Sequence, residues 1–363
     1  MSLKPERPPT PRSGASKPEA FRAGELVRAT LIVAGIVLLI VALWQLADLI
    51  LLGFGAVVVA TILRSLAGLI ERVTPLKDGW SLALGSLLVA GLIGSFVYLL
   101  GAQIYAQGSD LIGKLPGLVS GLGDRIGIPN LNELVAERST DFLGRSGLVG
   151  NIAGYTSVVI SALANFVVVI VAGIYFAASP ERYRKGFLKL VPAHVRDEAG
   201  RAMDNAGHAL QLWLLGQVIS MILIGILTTI GLYLLGMPSA LALGFFAGVA
   251  EFVPVVGPLL SAVPAILVAL SEGGTTVFWV IGLYILVQQA EGNLIMPLVQ
   301  RRAVDLPPVV TLFALAGLGI LFGPLGVLFG APLAVVMYVA VQQLYVRDTL
   351  GEKTNVPGEE GKG

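Results

Sequence analysis

Long runs of apolar residues dominate the sequence between residues 29 and 341, and they do not alternate with polar residues. A helix needs about 20 apolar residues to cross the hydrocarbon core of a bilayer. A β-barrel is disfavoured, because its strands alternate apolar and polar positions. The apolar segments lie at 29–47, 49–63, 80–101, 155–178, 212–235, 239–271, 274–296 and 306–341. The pattern therefore predicts an all-α, polytopic membrane protein with about eight hydrophobic segments.

Two of these segments, 239–271 and 306–341, are too long to be single straight spans. At about 1.5 Å per residue each would reach roughly 50 Å, whereas the hydrocarbon core is about 30 Å thick. Proline and glycine, which break helices and permit reversals, interrupt both segments at Pro254, Gly257, Pro258, Gly323, Pro324 and Gly326. We therefore predict two broken, re-entrant hairpins whose tips line a cavity. Ordinary kinks in spanning helices are the alternative.

The charged residues are few, and their positions indicate the topology. Only 13% of the 363 residues are charged, against about 25% in soluble domains, which excludes a soluble enzyme and a disordered chain. None of the 24 lysine and arginine residues falls within an apolar segment. These residues accumulate on the cytoplasmic side of a membrane. We therefore place 64–79 and 179–211 inside and 102–150, with only four cations, outside.

The same rule orients the hairpins and divides the chain. Arg301 and Arg302 reach the inside only if the preceding hairpin folds back to the outside. The sequence predicts that both termini are cytoplasmic. Its predicted parts are a disordered tail at 1–28, a transmembrane domain at 29–345, an extracytoplasmic insert at 102–150, a cytoplasmic amphipathic segment near anionic lipid at 179–211, and a tail at 346–363.

Motifs for catalysis or cofactor binding are not found in the sequence. There are no cysteines, which excludes thiolate catalysis and cysteine-based metal sites. The run from Gly108 to Lys114 imitates a phosphate-binding loop, but Leu115 stands where a hydroxyl residue should hold magnesium. With a net charge of +1, nucleic acid is not an expected partner. We therefore predict that the protein is not an enzyme and has no cofactor and no metal.

Two carboxylic acids at membrane depth are the candidate functional groups. Glu251 lies three residues before Pro254, deep in the first predicted hairpin. An ionisable residue at this depth is costly and usually functional, although a structural hydrogen bond is the alternative. Glu291 lies in a polar patch with Gln288 and Asn293 near the end of segment 274–296. For this patch a binding site and helix packing remain equal alternatives.

Three motifs occur in the carboxy-terminal half. They are Glu251-Phe252-Val253-Pro254-Val255-Val256-Gly257-Pro258 with Pro264, Glu291-Gly292-Asn293-Leu294-Ile295-Met296-Pro297 with Arg301, Arg302, Leu306, Pro307 and Pro308, and Leu321-Phe322-Gly323-Pro324-Leu325-Gly326 with Ala331-Pro332-Leu333. They resemble the proline- and glycine-rich signature of the autoinducer-2 exporter family, and the order and spacing match over roughly residues 28–345. The resemblance implies a homo-oligomeric transport protein of the bacterial inner membrane that exports a quorum-sensing signal or exchanges sodium and protons.

The hypothesis is a secondary transporter that exports a small polar solute, such as autoinducer-2, using a proton or sodium gradient and moving hairpins. A sodium/proton antiporter, an oligomeric channel and a non-transporting scaffold are the alternatives. The expected partners are a small molecule or ion, the lipid bilayer and further copies of the chain. The candidate substrate- or ion-binding residues are Glu251, Pro254, Gly257, Pro258, Gln288, Glu291, Asn293 and Pro297, and those of the second hairpin tip are Gly323, Pro324 and Gly326.

Overall fold

The computed structural model describes residues 23–92, 94–95, 98, 152–272, 275–295 and 306–359. In these ranges the protein is all-helical, as predicted. Its α-helices are α1 (Ala23–Gln45), α2 (Ala47–Val73), α3 (Asp78–Leu92), α4 (Ile152–Ala178), α5 (Pro180–Leu190), α6 (Arg196–Leu234), α7 (Ala240–Ala250), α8 (Val256–Glu272), α9 (Thr276–Ala290) and α10 (Pro308–Ala340). A 3-10 turn lies at Ala193–Val195, and π-helical turns lie at Glu291–Ile295 and Val341–Arg347.

The chain divides into two compact units, Met1–Asp48 and Leu49–Gly363. Helix α1 lies in the first unit, and every contact described below lies within the second. Several predictions concern residues outside the described ranges: the first part of the amino-terminal tail, the insert 102–150, Pro297, and the pair Arg301 and Arg302. These remain predictions.

Among the described residues, three helical stretches are long and apolar enough to cross a membrane. They are Ala47–Val73, Ala193–Leu234 and Pro308–Arg347. The end of α4 together with α5 forms a further candidate, but the chain bends by 94° between them. A polytopic membrane protein is therefore supported, whereas the predicted count of eight hydrophobic segments is not established.

Helix α6 packs closely on α7 because glycines remove side chains from their contact. A Cβ atom added at Gly248 would lie 2.6 Å from the Met221 carbonyl oxygen and 3.0 Å from the Cα of Gly225. At Gly244, an added Cβ would overlap Thr229. Small residues allow helices to approach through their backbones, which is the usual way that helices associate within a membrane. The contact holds the end of α7, where Glu251 lies, against the middle of α6.

Helices α7 and α8 form a helical hairpin. Ala240 and Leu243 at the start of α7 share one apolar cluster with Val268 and Ala269 at the end of α8. The two helices therefore run side by side, joined by the short turn at residues 251–255. The course of this hairpin through the bilayer stays a prediction.

The range of α10 covers two helical pieces, because the chain folds back at Gly323. This glycine has φ 61° and ψ −143°, a conformation outside the helical region that residues with a Cβ rarely adopt. The chain on either side lies together, since a Cβ added at Gly330 would meet Leu315 at 3.1 Å. In a straight helix these two residues would be about 22 Å apart. The segment therefore consists of two packed helices. By length and composition alone it would count as one membrane-spanning helix.

The tips of the two hairpins meet in one apolar cluster. Phe252 from the first tip and Phe322 and Leu325 from the second all pack against the same cluster of buried residues, which includes Leu210 and Phe329. Trp213 of α6 makes an edge-to-face contact with Phe252, with ring centroids 6.5 Å apart. The two tips and α6 are therefore mechanically connected.

The carboxy-terminal segment packs against the start of α6. Val356 is buried with Ala206 and Ala209 of that helix. The Nδ1 of His208 donates a hydrogen bond to the Gly358 carbonyl at 2.7 Å, and Arg347 pairs with Glu359 at 2.8 Å. The described part of the predicted tail 346–363 is therefore docked on the membrane domain.

Candidate functional site

Glu251 lies at the carboxyl end of α7, where the helix stops and the hairpin turn begins. Its side chain is 1% exposed, and it is the only fully buried ionisable side chain among the described residues. The turn that follows is strained, because Val255 has a φ of 70° although it is a β-branched residue. Gln217 of α6 donates its amide to the freed backbone carbonyl of Glu251 at 2.5 Å. Irregular backbone of this kind is tolerated at membrane depth only where such partners exist.

A small cavity opens beside Glu251, with room for about one water-sized ligand. Four helices and the π-helical turn Glu291–Ile295 surround it. Its lining residues are Ile224 and Thr228 of α6, Ala247 of α7 with Glu251, Pro258 and Ser261 of α8, Tyr284, Val287 and Gln288 of α9, and Glu291. None of these lining residues is a lysine, an arginine or a histidine, so within the described ranges no positive side chain lines the cavity beside the two carboxyl groups.

Glu251 and Glu291 meet in this cavity although they are 40 positions apart in the sequence. Both carboxyl side chains line this cavity, and Gln288 donates a hydrogen bond to Oε2 of Glu291 at 2.7 Å. A hydrogen bond between two carboxyl groups needs one proton between them, because two adjacent carboxylates repel each other. The pair is therefore suited to hold one proton and one negative charge.

Two buried polar atoms at the cavity have no hydrogen-bond partner among the described residues, Oγ1 of Thr228 and Oε2 of Glu251. Buried polar groups are nearly always satisfied, so unsatisfied ones need an explanation. Both oxygens belong to residues that line the same small space. Together with Glu291 they form a set of oxygen ligands suited to a water molecule or a hard monovalent cation.

The donor set does not suit a tightly bound divalent metal. Within the part of the chain that the structure describes, no group of three or more histidine, cysteine, aspartate or glutamate residues could hold a metal ion. Two carboxyl groups that hold one proton between them instead match a single positive charge. Such an arrangement can exchange a proton for a cation or relay a proton.

Hydrogen bonds between α8 and α9 fix the far side of the cavity. The hydroxyl of Tyr284 donates to the Ser261 carbonyl at 3.0 Å, and Ser261 Oγ donates to the Pro258 carbonyl at 3.0 Å. These contacts hold the first turns of α8 against the middle of α9. A movement of the hairpin relative to α9 would therefore have to break or shift them.

The structure brings some of the predicted site residues together and leaves others apart. Glu251, Pro258, Gln288 and Glu291 line the cavity. Gly257 is buried beside it, where a Cβ would overlap the Ala250 carbonyl, so this glycine permits the tight turn. Pro254 lies in the turn but does not line the cavity.

Asn293 and the second hairpin tip also lie away from this cavity. Asn293 is exposed and donates to the carbonyl of Gln289 at 2.9 Å, a local contact within one helical turn. Gly323, Pro324 and Gly326 shape the second tip, which reaches the first tip through the apolar cluster of Phe252. Pro297 lies outside the described residues.

Four polar residues at the site, Gln217, Thr228, Ser261 and Tyr284, were not among the predicted ones. A signal for three of them exists in the sequence. Gln217 and Thr228 are 11 positions apart, about three turns, and therefore share one face of α6. Tyr284, Gln288 and Glu291 likewise follow the i, i+4, i+7 pattern of a single helix face.

The sequence is similar to a family of transporters and to individual proteins named as transport proteins or permeases. The sequence model described as AI-2E family transporter matches residues 33–346. YueF, a candidate transport protein of Bacillus subtilis, is 28% identical over 207 residues, 56% of each chain. PerM, a candidate permease of Escherichia coli, is 23% identical over 275 residues, 72% of this chain and 78% of PerM. The AI-2 transport protein TqsA of Escherichia coli is 28% identical over 144 residues, 39% of this chain and 41% of TqsA. The match spans little more than half the length of relatives such as YueF.

Proposed function

Because the chain belongs to the AI-2E transporter family, we propose that it is a secondary transporter of the bacterial inner membrane driven by a proton or sodium gradient. The solute is a small polar molecule of the autoinducer-2 type, which the name of the relative TqsA supports. The direction is export, and the two hairpins are the moving parts.

The observation that carries this proposal is a pair of carboxyl groups in one cavity, Glu251, buried at the hairpin tip, and the half-buried Glu291. Ionisable residues within a membrane domain mark ion pathways and proton relays, since their burial is otherwise costly. In the same cavity an oxygen of Glu251 and the hydroxyl of Thr228 have no hydrogen-bond partner among the described residues. A structural role alone does not account for an oxygen of Glu251 that is buried without a partner.

The proposed cycle exchanges the shared proton for a cation. When the proton leaves, the two carboxylates repel each other unless a cation enters between them. The cation gains oxygen ligands from both acids and from Thr228. Since Glu251 lies in the hairpin turn and Glu291 on the neighbouring helix, the occupant of the cavity decides how closely the hairpin packs on α9. Broken helices at a binding site are the typical moving parts of secondary transporters.

The test is flux through the purified protein in liposomes with imposed sodium and proton gradients. Coupled transport predicts that solute moves against its own gradient when the ion gradient is imposed, and that the rate saturates with solute concentration. Unsaturable flux that follows voltage alone would contradict coupling and favour the channel alternative.

A sodium/proton antiporter is the second candidate, and the size of the cavity favours it. The space beside Glu251 takes about one water-sized ligand, which suits a cation and excludes an organic solute in this conformation. The liposome experiment separates the two candidates. Exchange of sodium for protons without any added solute identifies an antiporter, whereas an exporter requires the solute for sustained exchange.

We expect the substitution Thr228→Val to weaken cation binding about tenfold while leaving the protein as stable or more stable. Valine keeps the shape of threonine and removes a buried hydroxyl that has no partner in the cavity. The loss of one unsatisfied polar group stabilises a fold by about 1 kcal/mol or more. The measurements are thermal unfolding in detergent and the sodium concentration that gives half-maximal flux.

The matched control for this prediction is Thr229→Val, one position further along α6. The hydroxyl of Thr229 donates to the Gly225 carbonyl at 2.7 Å and does not line the cavity. Removing it is expected to cost up to about 1 kcal/mol of stability without changing the sodium dependence. Unchanged sodium dependence in both variants would show that Thr228 is not a ligand.

A further inference from the structure

Helix α5 presents three different faces, although it has only eleven residues. Residues three and four positions apart share one face of a helix. One face carries Tyr183, Phe187 and Leu190, all exposed, with Leu190 83% exposed. A second face carries the exposed cations Arg182, Lys185 and Lys189.

The third face of α5 fixes the helix to α6. Arg184 donates from Nε and Nη2 to the two carboxylate oxygens of Asp204, at 2.7 and 2.6 Å. This hydrogen bonding raises the pKa of Arg184 above its usual value. Leu188 and Arg184 both lie against Gly200, where a larger residue would meet them. The apolar face and the cationic face therefore remain free of α6.

The direction of α5 follows from the helix before it. Helix α4 has 27 residues, 152–178, and contains no charged residue, and the chain turns by 94° before α5 begins. The rings of Phe176 and Tyr183 pack across this bend, with centroids 4.6 Å apart. A right-angle turn at the end of a helix that spans a membrane lays the next helix along the membrane surface.

We propose that α5 is an interfacial helix that binds the headgroups of anionic phospholipids. Tyr183, Phe187 and Leu190 insert at the boundary between headgroups and acyl chains, as the apolar faces of such helices do. Arg182, Lys185 and Lys189 extend to lipid phosphates, since long basic side chains reach the interface from a buried stem. The helix carries four cations and one acid, a net charge of +3, which is complementary to an anionic leaflet. Lys185 also pairs with Glu181 at 3.6 Å, and both side chains are 71% exposed. An exposed ion pair of this kind is weak, so it leaves Lys185 available to lipid phosphates.

The absence of cysteine from the sequence allows a direct test on the full-length protein. A spin label at Phe187→Cys reports depth through its accessibility to oxygen and to a water-soluble nickel complex. The label is expected to be protected from nickel in bilayers that contain phosphatidylglycerol and less protected in phosphatidylcholine alone. A label at Glu181→Cys, on the polar side, is expected to remain accessible to nickel in both. Adding free glycerol phosphate instead of the anionic lipid is expected to change nothing.

Removing the three cations of the cationic face tests whether they bind anionic lipid. In the triple variant Arg182→Gln, Lys185→Gln, Lys189→Gln, the mole fraction of phosphatidylglycerol that gives half of the protection at Phe187→Cys is expected to rise about tenfold or more. The matched control removes three exposed cations elsewhere, Arg72→Gln, Arg201→Gln and Lys353→Gln, and is expected to change nothing.

A second measurement needs no charge variant. High salt screens surface charges. It is therefore expected to reduce the protection from nickel of the label at Phe187→Cys in the protein that keeps all its cations. Protection that is equal with and without anionic lipid, or equal in the two triple variants, would overturn the proposal. A label at Phe187→Cys as accessible to nickel as that at Glu181→Cys would overturn it as well.

Discussion

Replacing Glu251 with glutamine is expected to lower ion-coupled flux at least about tenfold while leaving the protein folded. Glutamine keeps the shape of the side chain but can neither release a proton nor carry the negative charge that attracts a cation. Interactions with a charged group contribute about 1.5–3 kcal/mol, and about 1.4 kcal/mol corresponds to a factor of ten. The measurement is flux in liposomes under an imposed sodium or proton gradient, with the wild type reconstituted at the same density.

The matched control for Glu251→Gln is Glu272→Gln, because this acid ends the second helix of the same hairpin and is exposed. The change of charge is identical, but Glu272 does not line the cavity. Its flux is expected to equal that of the wild type. Equal flux for Glu251→Gln as well would show that the buried acid does not couple transport, although the place of the chain in its family would not change.

The partner acid makes the prediction more specific. Since the proposed cycle gives Glu251 and Glu291 one proton to share, the double variant with both residues changed to glutamine is expected to lose little more flux than either single variant. Residues that act as a unit are strongly non-additive. Losses that multiply would instead show two independent functions for the two carboxyl groups.

Glu251 could be predicted as a functional residue from the sequence alone, because it is an ionisable residue deep within an apolar segment. A charge within about 20 apolar residues has few structural explanations. The sequence did not show that Glu251 meets Glu291, because their contact depends on how the turn at 251–255 places the end of α7 beside α9. Contacts of this kind depend on the packing of glycines such as Gly248 against α6, which hydropathy does not reveal.

Asn293 illustrates a different difficulty. It lies two positions after Glu291, about 200° around a regular helix, so helix geometry already places it away from the face that Gln288 and Glu291 share. The structure has a π-helical turn at Glu291–Ile295, and the Asn293 amide donates to the local carbonyl of Gln289. Proximity in the sequence was therefore a poor guide for Asn293, whereas the three-residue spacing of Gln288 and Glu291 predicts that they lie together.

The break in the second long segment could be predicted from Gly323 and Pro324, whereas the closeness of its two halves could not. At Gly326, a Cβ atom would overlap the Leu318 carbonyl and lie 3.1 Å from the Phe322 Cβ. Gly319 and Gly330 make similarly close contacts across the fold-back. This row of glycines allows the two halves of α10 to pack backbone to backbone, in the manner of other helix pairs in membranes.

Changing Gly326 to alanine is therefore expected to destabilise the protein by about 3 kcal/mol, at the upper end of overpacking costs. The added methyl group meets backbone of the facing half, which cannot rotate away as a side chain can. The measurement is thermal unfolding in detergent, together with flux in liposomes, which is expected to fall because the second tip supports Phe252 beside Glu251.

The control for Gly326→Ala is Gly317→Ala in the same helix, and the two changes are expected to have opposite signs. A Cβ at Gly317 meets nothing within 4 Å, and both positions lie in the helical part of α10. Alanine is favoured over glycine in a helix by about 0.8–1.0 kcal/mol, so Gly317→Ala is expected to stabilise the protein slightly. Two variants of equal stability would contradict the close packing of the hairpin, because helix propensity acts on both while the steric overlap acts on Gly326 alone.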